Sequence, residues 1–204
     1  AVTLKGNMLL GSKEPGKALV VDPAKEASIT LVPRAGSGRT MRRMALPIDG
    51  TSDANLQFVN AYEDGDSVII DVIRSDGSQL TGSRPLQWPW VASLSAYQQS
   101  ASKKSLWRYA VDLTSASVTR RLLVDTHCFF GVVNPAKSGY PHKYIYMNVG
   151  GLGKETAPMQ GIAKVNVDAG HVDSWMPPAH EFCGEPMYAP RDQVDAKAEE
   201  DSGY

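Results

Sequence analysis

The run Phe58-Val59-Asn60-Ala61-Tyr62-Glu63-Asp64-Gly65-Asp66-Ser67-Val68-Ile69-Ile70-Asp71-Val72-Ile73 decides how this chain is to be read. Two stretches rich in β-branched and aromatic residues flank Asp64-Gly65, a pair that favours the tight turn of a β-hairpin. The same pattern recurs. Leu106–Leu113 passes through Thr114-Ser115-Ala116 into Ser117–Val124, and Gly161–Val167 passes through Asp168-Ala169-Gly170 into His171–Trp175. Ala18–Asp22 leads through Pro23-Ala24-Lys25 into Ser28–Val32, and Lys143–Val149 is a further β-rich run between Pro141 and Gly150-Gly151. Helical periodicity is scarce. Trp90–Ser105 is the one candidate for a short helix, and its serines and glutamines mark it rather as an insertion or loop. Gly36-Ser37-Gly38 and Gly82-Ser83 read as flexible connectors. Hairpins repeated at this spacing predict an all-β fold: a sandwich, a barrel or a propeller.

The 204 residues suffice for one domain with a sizeable core. A formal net charge of -1 provides no global field for nucleic acid or an anionic membrane. No apolar run approaches the roughly 20 residues that span a bilayer. Cys128 and Cys183 are too few for a disulfide framework and are expected to be small buried thiols; they form no C-x-x-C pair for zinc or redox chemistry. The chain begins at Ala1 without a secretory signal pattern. It is expected to be a processed chain or a segment of something longer.

A set of segments, taken in order, resembles the carotenoid cleavage oxygenases. Met8-Leu9-Leu10-Gly11 and Asp22-Pro23-Ala24-Lys25 precede Ile29–Arg34, which resembles the family's strand pair ending in V-P-R. Gln57–Asp71 is similar to its F-H-x-x-N-A-[YFW]-E segment. Leu106–Leu113 looks like L-x-R-[YW]-x-[IVL]-D-L, and Asn134-Pro135, Gly139 and Tyr144-Ile145-Tyr146 follow its N-P-x-x-x-G-x-x-x-[RK]-Y-x-Y stretch. Phe182–Arg191 resembles F-x-G-E-P-x-F-V-P-R, and Glu199–Tyr204 the E-D-D-G-Y-L after it. The resemblance runs from about Met8 to Tyr204. It implies several consecutive blades of a seven-bladed β-propeller, with 1–191 as a partial propeller domain; 192–204, polar and mostly acidic, is expected from its composition to be a mobile loop or tail. It also implies that further blades, two iron histidines upstream and one downstream belong outside these residues.

The family's iron is held by four imidazoles, a ligand type suited to Fe(II). At the position of one of these histidines the chain has Gln57, whose amide oxygen is a weak neutral donor. Carboxylates behind the imidazoles orient them through the other ring N–H. Counting back from Asn134-Pro135, the place of one such glutamate is taken by Phe129. His127, His142, His171 and His180 match no ligand position. The glycines of Gly150–Lys154 lack phosphate-loop spacing, Arg42-Arg43 and Arg120-Arg121 read as solvated strand ends, and the serines, Ser95 and Ser100 among them, have no nucleophile-elbow context. Glu185 is read as part of a structural strand turn. Trp88, Trp90, Trp107 and Trp175 are expected in blade packing before any polyene tunnel.

Two readings follow. In the first, the chain has lost iron-dependent catalysis, holds no cofactor, and is a structural or interaction subunit near carotenoids or lipid. In the second, it is a segment of an active Fe(II)-dependent carotenoid or apocarotenoid dioxygenase whose other ligands lie outside it. Either way its exposed strand edges are expected to be covered by remaining blades or a protein partner. A plastid is the expected compartment, the cytoplasm the next.

Overall fold

A computed structural model describes residues 2–4, 19–21, 27–46, 57–75, 95, 103–150, 158–191 and 199–203. The strands are β1 (Val2–Leu4), β2 (Leu19–Val21), β3 (Ser28–Leu31), β4 (Arg42–Ala45), β5 (Gln57–Asp64), β6 (Ser67–Ser75), β7 (Lys104–Asp112), β8 (Ser117–Val124), β9 (Cys128–Val132), β10 (Tyr144–Gly150), β11 (Met159–Asn166) and β12 (His171–Trp175); a short 3-10 turn covers Pro135–Lys137. Two four-stranded antiparallel meanders, β5-β6-β7-β8 and β9-β10-β11-β12, make up most of the described chain, and β1-β2 and β3-β4 form two small ribbons. The pairing expected between 18–22 and 28–32 is not the one found among the described residues. There β2 pairs with β1, and β3 with β4 across the turn around Gly36-Ser37-Gly38. Trp88, Trp90 and most of 90–105 lie outside the described residues, apart from Ser95, Lys103 and the first two residues of β7.

Turn chemistry sets each meander's register. Asp64 pairs with Ser67, so the β5–β6 loop is Gly65-Asp66. Its first residue, Gly65, takes φ 57°, a left-handed conformation that glycine adopts without strain. The β7–β8 and β11–β12 loops share another device. Asp112 Oδ1 accepts from the main-chain N–H of Thr114 at 2.7 Å and of Ser115 at 2.9 Å. Asn166 Oδ1 accepts from Asp168 at 3.2 Å and Ala169 at 3.0 Å. Both are side-chain-mimicked turns, for which short Asx side chains are suited.

The β5–β8 sheet is covered on both faces. Ile73, Leu106 and Val124 point toward the second meander and join Cys128, Ile145, Met147, Val149, Ala163 and Val165 in one core. Ile70, Val72, Tyr109, Val111 and Val118 point the other way and join Met44 and Leu46. This is why β6 is buried without interruption from Ile70 to Ser75 instead of alternating. Each such aliphatic side chain contributes about 1.5–3 kcal/mol by leaving water. Sheets stacked face to face as consecutive meanders are the arrangement of neighbouring propeller blades.

Candidate functional site

The site expected from sequence sits where β5 meets the second meander. In a regular strand, residues three apart face opposite sides. Gln57 and Asn60 nevertheless both reach toward the second meander, because β5 carries a bulge: Phe58 pairs with Val72 and Asn60 with Asp71, leaving Val59 unpaired. A second bulge lies opposite. In β9, Phe129 pairs with Asn148 and Val132 with Tyr146, so Phe130-Gly131 face Met147 alone. Phe130 takes φ 50°, an uncommon conformation for a bulky residue.

The two bulges engage each other. Gln57 Oε1 accepts a 2.6 Å hydrogen bond from the main-chain N–H of Phe130. Val59 packs so closely on Gly131 that a Cβ there would lie 2.6 Å from Val59 Cγ2. Asn60, buried, holds the β9–β10 connection: its Nδ2 donates to the carbonyls of Lys137 and Tyr140, both at 3.1 Å, and its Oδ1 accepts from Gly139 N–H at 2.9 Å. Asn60 Nδ2 also lies 3.0 Å from His142 Nδ1, the ring nitrogen opposite Nε2. That Nε2 is 2.9 Å from Asp71 Oδ2, though off the line of a well-formed hydrogen bond. Asp71, fully buried, accepts from Arg108 Nε at 2.7 Å and from Arg108 Nη2 at 2.8 Å, a bidentate pair. Burial alone would raise the Asp71 pKa; the bidentate bonds from Arg108, together with the close His142 imidazole, outweigh it and hold the carboxyl below its usual range. The ring of Tyr62 meets His142 edge-on at 5.6 Å. Sequence reading passed over this Asn60–His142–Asp71–Arg108 cluster. Its signal was the direct cross-strand placement of Asn60, Asp71 and Arg108, visible only once the strands are paired.

Phe129 is half-buried beside Phe130, ring centroids 4.2 Å apart, and the Lys104 ammonium stands 3.8 Å above its ring. The structure thus brings Gln57 and the Phe129-Phe130 pair together, as the resemblance implies for a ligand and its supporting residue. The chemistry differs. Gln57 Oε1 is engaged by a main-chain donor, and Phe129 has no acceptor to orient an imidazole. These two positions do not fit a metal ligand and its carboxylate support.

The histidines are scattered. His127 is buried; its Nδ1 accepts from Lys104 N–H at 3.0 Å, and burial, helped by the nearby Lys104 and Lys103 charges, pushes its pKa down to about 4. His142 serves the cluster above. His171 is exposed beside Asp173 at 2.9 Å, and exposed His180 takes φ 73°. No group of three or more His, Cys, Asp or Glu side chains is arranged to hold a metal among the described residues. Both cysteines are free thiols; Cys128 is buried, with its pKa pushed up to about 12 by desolvation, while Cys183 is only half-buried. Trp107 packs with the core around Met44 under the Arg74 guanidinium, Trp175 is exposed, and so is Glu185. Gly151–Lys154 lie outside the described residues.

Residues 199–203 of the acidic segment are held in place. The Glu200 carboxylate accepts from Lys143 N–H and Tyr144 N–H, each at 2.8 Å, and its carbonyl accepts from Asn134 Nδ2 at 2.9 Å. Asp201 pairs with Lys164 at 2.5 Å, and Gly203 bridges Pro190. Residues 192–198 lie outside the described residues.

Stacked meanders carrying the Gln57–Asn60 segment on the first strand of a blade define part of a β-propeller of the carotenoid-oxygenase type. The chain belongs to the carotenoid cleavage oxygenase family: the family model described as retinal pigment epithelial membrane protein matches residues 2–204. It is 32% identical over 193 residues to apocarotenoid-15,15'-oxygenase of Synechocystis sp., covering 93% of this chain and 36% of that protein. It is 36% identical over 78 residues to the chloroplastic carotenoid cleavage dioxygenase 7 of Arabidopsis thaliana, covering 37% of this chain and 13% of that protein. The solved structure of cobalt-substituted Synechocystis ACO is similar with a TM-score of 0.82 at 29% identity, covering 99% of this chain and 39% of that one. The chain therefore spans well under half the length of these relatives.

Proposed function

We propose that this chain is a structural part of a carotenoid-oxygenase propeller in which position 57 ties two blades together instead of holding iron. The observation that carries this reading is the 2.6 Å bond from Phe130 N–H to Gln57 Oε1. An amide oxygen is a poor iron ligand, and this one is already committed to a main-chain donor. Phe129, where the resemblance implies a carboxylate, gives an imaginary imidazole at position 57 nothing to lean on. The protein then acts as a scaffold or interaction subunit close to carotenoids or lipid. Its open strand edges are covered by the remaining blades or by a protein partner. A plastid location is supported by the chloroplastic and chromoplastic relatives.

The competing reading is an active Fe(II)-dependent dioxygenase that draws its ligands from outside these residues. Its support is the 32% identity to an apocarotenoid oxygenase. Elemental analysis of the full-length protein, run beside a carotenoid cleavage assay, separates the two. The scaffold reading expects sub-stoichiometric iron and no aldehyde product. Tightly bound iron at one per chain with cleavage to apocarotenals overturns it.

A further inference from the structure

Beside the two bulges lies a group of donors without an acceptor. Lys104 opens β7, and His127 sits just before β9. Because His127 Nδ1 accepts from Lys104 N–H at 3.0 Å, the ring proton is on Nε2. His127 is only 3% exposed, and its Nε2 has no hydrogen-bond partner. A buried donor left without an acceptor costs about 1–3 kcal/mol, so such a group calls for a ligand. The Lys104 ammonium has the Phe129 ring beneath it at 3.8 Å and no carboxylate within ion-pair distance among the described residues. The nearby carboxylate of Asp125 is taken by Lys103 at 2.9 Å. Cys128 contributes a protonated thiol, whose Sγ lies 3.8 Å from the Lys104 carbonyl, and so supplies no anion.

We propose that Lys104 and His127, walled by Phe129 and Phe130, form a binding site for a carboxylate. One carboxylate oxygen takes the ammonium and the other the imidazole Nε2–H. A water molecule would satisfy His127 but leave the partly desolvated ammonium without a counter-charge, and an uncompensated charge is the costlier of the two. The aromatic pair offers an apolar surface beyond the donors, so the carboxylate is either a free small anion or the head of an apolar chain. The site uses neither Gln57 nor iron, and stands whichever way the metal question falls.

The test is amine labelling of the full-length protein with an acetylating ester, read residue by residue by mass spectrometry, with acetate, octanoate or octanol added. Lys103 is the internal control. The expected result is that acetate or octanoate slows Lys104 acetylation at least fivefold against Lys103, while octanol does not. Protection by acetate assigns a small anion; protection by octanoate alone assigns an apolar chain; both support the site. Calorimetry with the protecting carboxylate then expects at least tenfold weaker binding for Lys104→Met and near-native binding for Lys104→Arg. Unchanged Lys104 labelling at saturating acetate and octanoate overturns the proposal, as does equal protection by octanol or unaltered binding by Lys104→Met.

Discussion

Gln57 and Phe130 are joined by a 2.6 Å hydrogen bond in which a side-chain oxygen accepts from a main-chain N–H. The bond stitches a bulge in one blade to a bulge in the next, and it satisfies a main-chain donor that β9 itself leaves unpaired. Gln57→Ala removes the acceptor. It is expected to destabilise the protein by about 1 kcal/mol or somewhat more, the cost of leaving a partly buried N–H without its acceptor. A lower urea midpoint at unchanged slope is the readout.

Gly131 permits the same contact from the other side. An added Cβ lies 2.6 Å from Val59 Cγ2 and 3.2 Å from Ile73 Cδ1. Gly131→Ala is expected to cost about 1–3 kcal/mol through overpacking. Val59→Ala in the same protein is expected to relieve part of that cost, so the double-mutant cycle shows a favourable coupling. Strict additivity would place the clash elsewhere.

The Asp71–Arg108 pair is expected to be the most sensitive polar contact between β6 and β7. Asp71→Asn leaves a partly buried guanidinium short of its counter-charge and is expected to cost about 3–5 kcal/mol, whereas Asp71→Leu with Arg108→Met is much milder. The pH dependence has a definite sign. Asp71 has a lowered folded pKa, so its contribution is present above the unfolded value of 3.8 and is lost as pH falls through the folded pKa. The Asn variant should show less loss of stability in acid below that value.

His127 acts over a higher window. Its pKa falls from 6.5 in the unfolded chain to about 4 in the fold, chiefly by burial and then by Lys104 and Lys103. Between those values the unfolded chain binds more protons, so stability rises with pH. His127→Gln keeps an acceptor for Lys104 N–H and is expected to flatten the stability profile between pH 4 and 6.5, as followed by thermal melts.

Glu200 is expected to protect the start of β10. Its carboxylate receives the Lys143 and Tyr144 N–H groups. Glu200→Ala should speed hydrogen exchange at those two amides while leaving Ile145 and Met147, buried in the core, unchanged. Equal acceleration across β10 would point to global loosening instead.

Much of this architecture is written locally. Asp64-Gly65, the Asp112 turn and the Asn166 turn act within a few residues, so hairpins and their order are legible in the chain, and with them the family. The pairing of β2 with β1 was not legible, because which strand a β-rich run joins is decided by partners distant in sequence. Position 57 shows the same divide. That position 57 is a glutamine and position 129 a phenylalanine is a matter of sequence alone. That Gln57 and Asn60 face the same way is not, since a period of two puts residues three apart on opposite faces and only the Val59 bulge reverses this. The Asn60–His142–Asp71–Arg108 cluster likewise exists only after two sheets stack. Sequence determined the hairpins and, through them, the family; tertiary structure decided what Gln57 does, because a hydrogen bond across 73 residues depends on the packing of both bulges.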